Sequence, residues 1–344
     1  MAEPNVELRG PVVPQDGVPD GQLPAGPEPK VELPGTLGSR RPPLLNVLLF
    51  ILTGLSAFFM GVDLRDTALP SGWSLLRLVD GLAFAGALIA ILLAHEMGHF
   101  LLARRHGVDA TWPFFIPAPL LSLIGTLGAV MKLRSLPRTR KALIDIAVAG
   151  PVAGFVVTLP VLAVGLWLSP LVPAEVVKHW TLAHALESVL TGHGWLPFKP
   201  GVFDLGQPLA MRLIQLLVRG ELPAGQVLAY HPVAIAGWFG LLLTALNLLP
   251  AGQLDGGHLL YGCSPRWHRI LASPVSGVLL GLGIFGSFTG WLLWAVITGF
   301  IFNFHPPLAE PEERLTPGRK LWLLSGVVML VLSFTMSPVM LIVE

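Results

Sequence analysis

Two histidines and a glutamate stand together in His95-Glu96-Met97-Gly98-His99, near the end of a long apolar run over residues 81–103. On a helix, positions four apart differ by roughly 40° of rotation, so both imidazoles leave the same face. A zinc ion can take one nitrogen from each. Glu96 lies beside that face, within reach of a water held by the metal. Two imidazoles and a carboxylate are costly to place inside a membrane helix, so the default reading of the three is functional. The pair lacks a third ligand, and the rest of the chain must supply it along with a dry housing and an entry for water and substrate.

The best third ligand is Asp255, in the stretch Asn247-Leu248-Leu249-Pro250-Ala251-Gly252-Gln253-Leu254-Asp255-Gly256-Gly257-His258. Pro250, Gly252, Gly256 and Gly257 break the preceding apolar helix. A break inside a membrane exposes backbone polar groups, and such a break is tolerated where it faces protein or a wet cavity. The competing reading is a helix end at the interface with an exposed aspartate.

Composition sets the class in which these elements must form. The chain has 344 residues, 53% of them hydrophobic and 12% charged, with mean hydropathy +0.69. A soluble domain carries about a quarter charged residues. Several long apolar runs with half that charge indicate a multi-span membrane protein whose surroundings are the lipid bilayer. The net charge of +1 gives no sign of a nucleic-acid partner. A single cysteine, Cys263, excludes an intramolecular disulfide and a cysteine-rich metal site.

The expected fold is all-α and polytopic, with about seven transmembrane helices and a re-entrant, β-like loop near the active site. Residues 1–41 are rich in proline and poor in large apolar side chains and are expected to form a disordered cytoplasmic tail. Spans are expected over residues 44–62, 81–103, 146–168 and 231–249, then a tight pair over 270–285 and 290–304, then a last span over 321–343. The catalytic domain is expected over 42–305, followed by a cytoplasmic linker over 306–320 and the terminal helix over 321–344. Arg40 and Arg41 precede the first span, and Arg104 and Arg105 follow the second. Both pairs place the N-terminus in the cytoplasm by the positive-inside rule. Acidic residues in the tail argue against a transit peptide, and the expected location is a prokaryotic plasma membrane.

Residues 112–131 are too short for a span and carry prolines at their start and basic residues after them, as a segment returning to the same side would. Within it, Gly125, Thr126 and Gly128 mix glycine with a β-former and mark a candidate strand edge beside the site, although a plain interfacial hairpin fits equally well. Asp145 beside Lys141 reads as a solvated carboxylate at a helix edge. Gly150-Pro151-Val152-Ala153-Gly154 offers a small-residue surface for close helix packing. Residues 209–218 have the look of a helix lying on the membrane surface. His179, His184 and His193, scattered beyond the third span, carry little weight as ligands.

With these motifs in place, the chain resembles the site-2 protease family of intramembrane zinc metalloproteases. His95-Glu96-Met97-Gly98-His99 matches the first motif of that family. Asn247-Leu248-Leu249-Pro250 with Leu254-Asp255-Gly256-Gly257 matches the second. Gly125-Thr126-Leu127-Gly128, ahead of Arg140-Lys141-Ala142, is similar to the branch that includes the plastid EGY-type proteases. The resemblance covers residues of about 80 to 305 and implies one zinc per chain, with His95, His99 and Asp255 as ligands and Glu96 as the catalytic acid and base. It implies Asn247 as a polar group near the bound substrate; an extended substrate pairing with the strand edge at Gly125, Thr126 and Gly128 would replace the hydrogen bonds lost when its helix unwinds. No inserted PDZ-like domain, present in some relatives, is legible.

The function so implied is hydrolysis of a membrane-anchored protein substrate within or near its own span. Two other classes share some of the features. An ion transporter or channel also uses intramembrane His, Glu and Asp on broken helices. Against it, no pair of broken helices recurs in corresponding halves. An inactive membrane scaffold could retain the same motifs as structure alone.

Overall fold

The computed structural model describes residues 43–65, 75–119, 122, 124–173, 203–286, 288, 290–301, 305, 308 and 315–341. The expectations for the proline-rich tail, for His179, His184 and His193, and for much of the linker lie outside them. The described helices are α1 (Leu44–Arg65), α2 (Leu75–Arg105), α3 (Arg140–Leu168), α4 (Leu209–Arg219), α5 (Pro232–Asn247), α6 (Asp255–Cys263), α7 (Pro265–Phe285), α8 (Gly290–Val296) and α9 (Pro317–Ser333). One π turn, Ile297–Ile301, prolongs α8. The architecture is that of an all-α membrane protein.

Among the described residues four helices, α1, α2, α3 and α7, are long and apolar enough to cross a membrane, while α5 and the α8 segment are apolar but shorter. Leu44, Leu48, Ile51, Leu55 and Phe59 are all exposed along α1. An exposed apolar stripe of this length on a membrane helix is the face that lipid covers.

The helix ends follow from local chemistry. Thr139 caps α3, its hydroxyl accepting from the Ala142 amide at 3.1 Å. That cap starts α3 six residues before the apolar run expected at Ile146, so Asp145 lies within the helix and not at its edge. At the end of α2, Gly107 takes φ +69 and lets Val108 N–H bond the Ala103 carbonyl at 2.9 Å. Ser264 caps α7 from its hydroxyl to Trp267 N–H, with Pro265 at the first helical position.

At the centre, α2 packs against α1, α3 and α5, and α3 packs against α5 and α6. Phe84, Leu88 and Ile91 of α2, Ile144 and Leu162 of α3, and Trp238 and Leu241 of α5 are fully buried there. Between α2 and α3 the chain forms a hairpin of β1 (Phe114–Pro117) and β2 (Thr126–Val130), antiparallel with a bulge between Phe115 and Pro117. Asn46 of α1 fastens it by donating to the carbonyls of Trp112 and Pro113 at 2.9 and 2.8 Å. Two further antiparallel pairs join β3 (Leu171–Pro173) to β5 (Gln226–Leu228) and β4 (Phe203–Leu205) to β6 (Val339–Leu341).

Two expectations are corrected by this arrangement. The last helix stops at Ser333, ten residues short of the expected Val343, and β6 follows it. Pro338 cannot donate to a helical ladder, and its carbonyl accepts from Gly206 N–H at 2.9 Å while Met336 O accepts from the Trp291 indole at 2.7 Å. Asp145 is not simply solvated. Its Oδ2 lies 3.1 Å from both Arg319 Nη2 and His106 Nε2, joining the start of α9 to the second turn of α3 and the segment just after α2.

Candidate metal centre

His95 and His99 leave α2 toward α3 and are buried, 3% and 7% exposed. Their Nε2 atoms lie 3.2 Å apart and their rings meet at 72°. The surface of α3 opposite them is Gly150 and Gly154. A Cβ on Gly150 would lie 2.0 Å from His99 Nε2, and one on Gly154 would lie 3.1 Å from His95 Cβ. The small residues of α3 therefore do more than let helices approach. Spaced four apart, they match the pitch of the histidine pair and make room for each ring. Their sequence signal was the glycine spacing, which reads as generic packing until the partner helix is known.

Asp255 comes from the far side of the chain. After α5 the backbone turns sharply: Ala251 N–H bonds the Leu249 carbonyl at 2.8 Å and Leu254 N–H bonds the Ala251 carbonyl at 3.1 Å. Helix α6 then starts tight against that turn. A Cβ on Gly256 would lie 2.1 Å from the Leu248 carbonyl oxygen, and one on Gly257 would lie 2.3 Å from that of Gly252. Only glycine fits at either place, which is the physical content of the Asp-Gly-Gly sequence. The turn delivers Asp255 Oδ2 to within 3.3 Å of His95 Nε2 and 3.2 Å of His99 Nε2.

The donor set has one unsatisfied feature. His99 Nδ1 donates to the Ile146 carbonyl at 2.8 Å, which leaves its Nε2 as a bare acceptor. The Asn247 amide nitrogen lies 3.2 Å from His95 Nε2. Two imidazole nitrogens and a carboxylate oxygen thus converge on one another, and one proton can join only two of them. A cation among them satisfies all three, and two imidazoles with a carboxylate are a donor set suited to zinc. Among the described residues this is the one group of three metal-ligating side chains whose ligand atoms so converge.

Glu96 is 8% exposed and lies on the adjacent strip of α2. Its carboxylate faces the backbone of Met131, the residue that follows β2. Strand β2 thus packs against the helix that carries the histidines. Gly125 takes φ +76, and a Cβ there would lie 2.7 Å from the backbone of Ser56, whose hydroxyl donates to the Gly125 carbonyl at 2.6 Å. Gly128 takes φ +99 with open space where its Cβ would be. The Thr126 hydroxyl donates to the Ile116 carbonyl at 2.8 Å and accepts from Gly128 N–H at 3.0 Å, so it knits the hairpin internally. Among the described residues β2 pairs with β1 alone, leaving its other edge unpaired by a strand.

A second histidine cluster, not anticipated from the sequence, lies beside α6. His258 Nδ1 and His305 Nε2 are 2.8 Å apart, the His305 ring stacks on Tyr261 at 3.7 Å, and His268 packs edge-on against Tyr261.

Comparison with known proteins gives one family match. A model described as peptidase family M50 matches residues 83–289. The chain is 30% identical to "Probable zinc metalloprotease EGY2, chloroplastic" of Oryza sativa subsp. indica over 268 residues, 78% of this chain and 44% of the relative. It is 30% identical to the protein of the same name from Arabidopsis thaliana over 280 residues, 80% of this chain and 45% of the relative. It is 35% identical to "Probable zinc metalloprotease EGY1, chloroplastic" of Arabidopsis thaliana over 208 residues, 60% of this chain and 34% of the relative. The chain thus spans less than half the length of these curated relatives. No solved structure matches it.

Proposed function

Because the chain belongs to peptidase family M50, we propose that it is a zinc-dependent intramembrane endopeptidase acting on membrane-anchored proteins. His95, His99 and Asp255 are the metal ligands in this reading and Glu96 is the proton carrier. The observation that carries it is the convergence of the Asp255 carboxylate on two imidazole nitrogens from a helix more than 150 positions away in sequence.

Zinc bound by these three groups supplies an acidified water and a polarised carbonyl. The chain's own residues do the rest. Glu96 takes the proton from the attacking water and returns it to the leaving nitrogen as the peptide bond breaks. Burial of Glu96 between α2 and the end of the hairpin keeps that proton away from bulk water. The Asn247 amide, on the last turn of α5 beside His95 Nε2, donates in this reading to the substrate carbonyl as charge develops on its oxygen.

A helical substrate hides its carbonyls in internal hydrogen bonds and must unwind before one can react. The edge of β2 unpaired by a strand, shaped by Gly125, Thr126 and Gly128 and packed against α2, supports the addition of an extended substrate as a further strand. The hairpin is then a re-entrant element. Helix α5 and the α7–α8 pair count as spans alongside α1, α2, α3 and α9, giving seven. Arg104, Arg105, Lys132, Arg134 and Arg138 mark one face of the protein. That face is cytoplasmic in the proposed topology, with the N-terminus on the same side of a prokaryotic plasma membrane. The catalytic unit is residues 42–305 in this account, with 306–320 linking it to the terminal helix.

The test is cleavage of a single-span substrate in proteoliposomes by the wild-type chain and by Glu96→Gln. Cleavage by the wild type alone supports the assignment, and equal cleavage by both removes it.

A further inference from the structure

Helix α6 has nine residues and carries Asp255 in its first turn. Helices so short do not hold themselves in water or in isolation, so the position of this carboxylate depends on what grips α6 from outside. Both ends are gripped. Before α6, the Gly252 carbonyl at the apex of the turn accepts from His268 Nε2 at 3.0 Å. His268 comes from α7 and is 3% exposed. At the other end, the carbonyls of Gly262 and Cys263, the last two residues of α6, accept from Arg140. Arg140 Nε reaches Gly262 O at 2.7 Å, and its Nη2 bonds Cys263 O.

Arg140 is the first residue of α3, the helix whose Gly150 and Gly154 cradle the two histidine rings. One rigid helix thus sets the place of the imidazoles with its middle and the place of α6 with its start. His268 fixes the remaining degree of freedom, the tilt of α6 about its far end. Resting on the metal-centre reading above, we propose that His268 and Arg140 are positioning residues that hold the Asp255 carboxylate in register with His95 and His99. Neither touches the metal ligands themselves.

The histidines beside α6 belong to the same support. His305 stacks on Tyr261 and meets His258, and both of those residues are on α6. His268 spends its Nε2 proton on a carbonyl, so the three histidines do not gather as a ligand set.

The test is zinc affinity of the purified full chain in detergent, by competition with a chelator, together with the unfolding temperature of the metal-free protein. His268→Leu and Arg140→Met are expected to lose about tenfold or more in zinc affinity, the scale seen when groups that orient ligands are removed. Metal-free unfolding should move little. His268→Gln, which restores an N–H donor for Gly252 O, should recover most of the loss, which a role in packing alone would not produce. If His268→Leu fails to fold, the comparison of Arg140→Met with Arg140→Lys carries the test in the same way. Wild-type zinc affinity in His268→Leu and Arg140→Met overturns the inference, as does equal loss in His268→Leu and His268→Gln. His95→Ala is the reference: zinc retained there overturns the metal centre itself, whereas zinc lost there but kept in His268→Leu and Arg140→Met overturns only the positioning role.

Discussion

A Cβ on Gly150 would sit 2.0 Å from the Nε2 atom of His99. The space that glycine leaves on α3 is the space in which that ring meets its neighbours. Any side chain there must displace the imidazole or push α2 and α3 apart. Gly150→Ala is therefore expected to disrupt metal binding and to lower proteolysis by about 10²-fold, the cost of a displacement near 1 Å at reacting groups. Gly154→Ala meets His95 at 3.1 Å and should be milder. Zinc content and cleavage rate of the two variants, side by side, check the order.

The glycines of the broken helix give a second contrast. Gly256→Ala would place a Cβ 2.1 Å from the Leu248 carbonyl and should unseat α6, with loss of zinc and a lower unfolding temperature. Gly277, in α7, has nothing within 4 Å of its Cβ position. Gly277→Ala should leave zinc binding intact and add up to about 1 kcal/mol through helix propensity. Thermal unfolding in detergent reads both.

Asn46 should affect substrate handling rather than the metal. Its amide donates to two hairpin carbonyls, Trp112 O and Pro113 O. Asn46→Ala removes both of these bonds and weakens the anchoring of the hairpin by about 1–3 kcal/mol. The expected result is a raised KM for a helical substrate with zinc affinity unchanged. A fall in zinc affinity with KM unaltered would speak against strand addition at β2.

Asp145 links the terminal helix to the core. Its Oδ2 lies 3.1 Å from Arg319 Nη2 and 3.1 Å from His106 Nε2, and the carboxylate is 16% exposed. Asp145→Ala leaves Arg319 half-buried without its anion and should destabilise by about 1–3 kcal/mol, read as a lower unfolding temperature. Proteolysis at low temperature should persist, because the triad touches neither Glu96 nor the ligands.

The chemistry was more legible in the sequence than its support. His95, Glu96 and His99 are local: helical pitch alone sets their common face. Asp255 stands out in the sequence because a Pro-Gly break in an apolar helix is rare enough to draw attention to the acid it carries. Gly150 and Gly154 were seen as small but not as the seat of the histidines, since nothing local says which helix faces them. Asp145 reads from the sequence as solvated because its partner Arg319 lies 174 positions away. His268 gave no signal, because a lone histidine after a helix cap looks like any interfacial residue until the Gly252 carbonyl is found 3.0 Å from its ring. The terminal helix reads too long in the sequence because apolar character runs past Ser333, while Pro338 and the pairing of β6 with β4 turn the chain to an extended form.

The most direct test of the central claim is the zinc content of the purified chain compared with that of Asp255→Ala. The account predicts about one zinc per wild-type chain, held by three protein ligands, and its loss when the carboxylate from the far part of the sequence is removed. Full zinc occupancy in Asp255→Ala would contradict it.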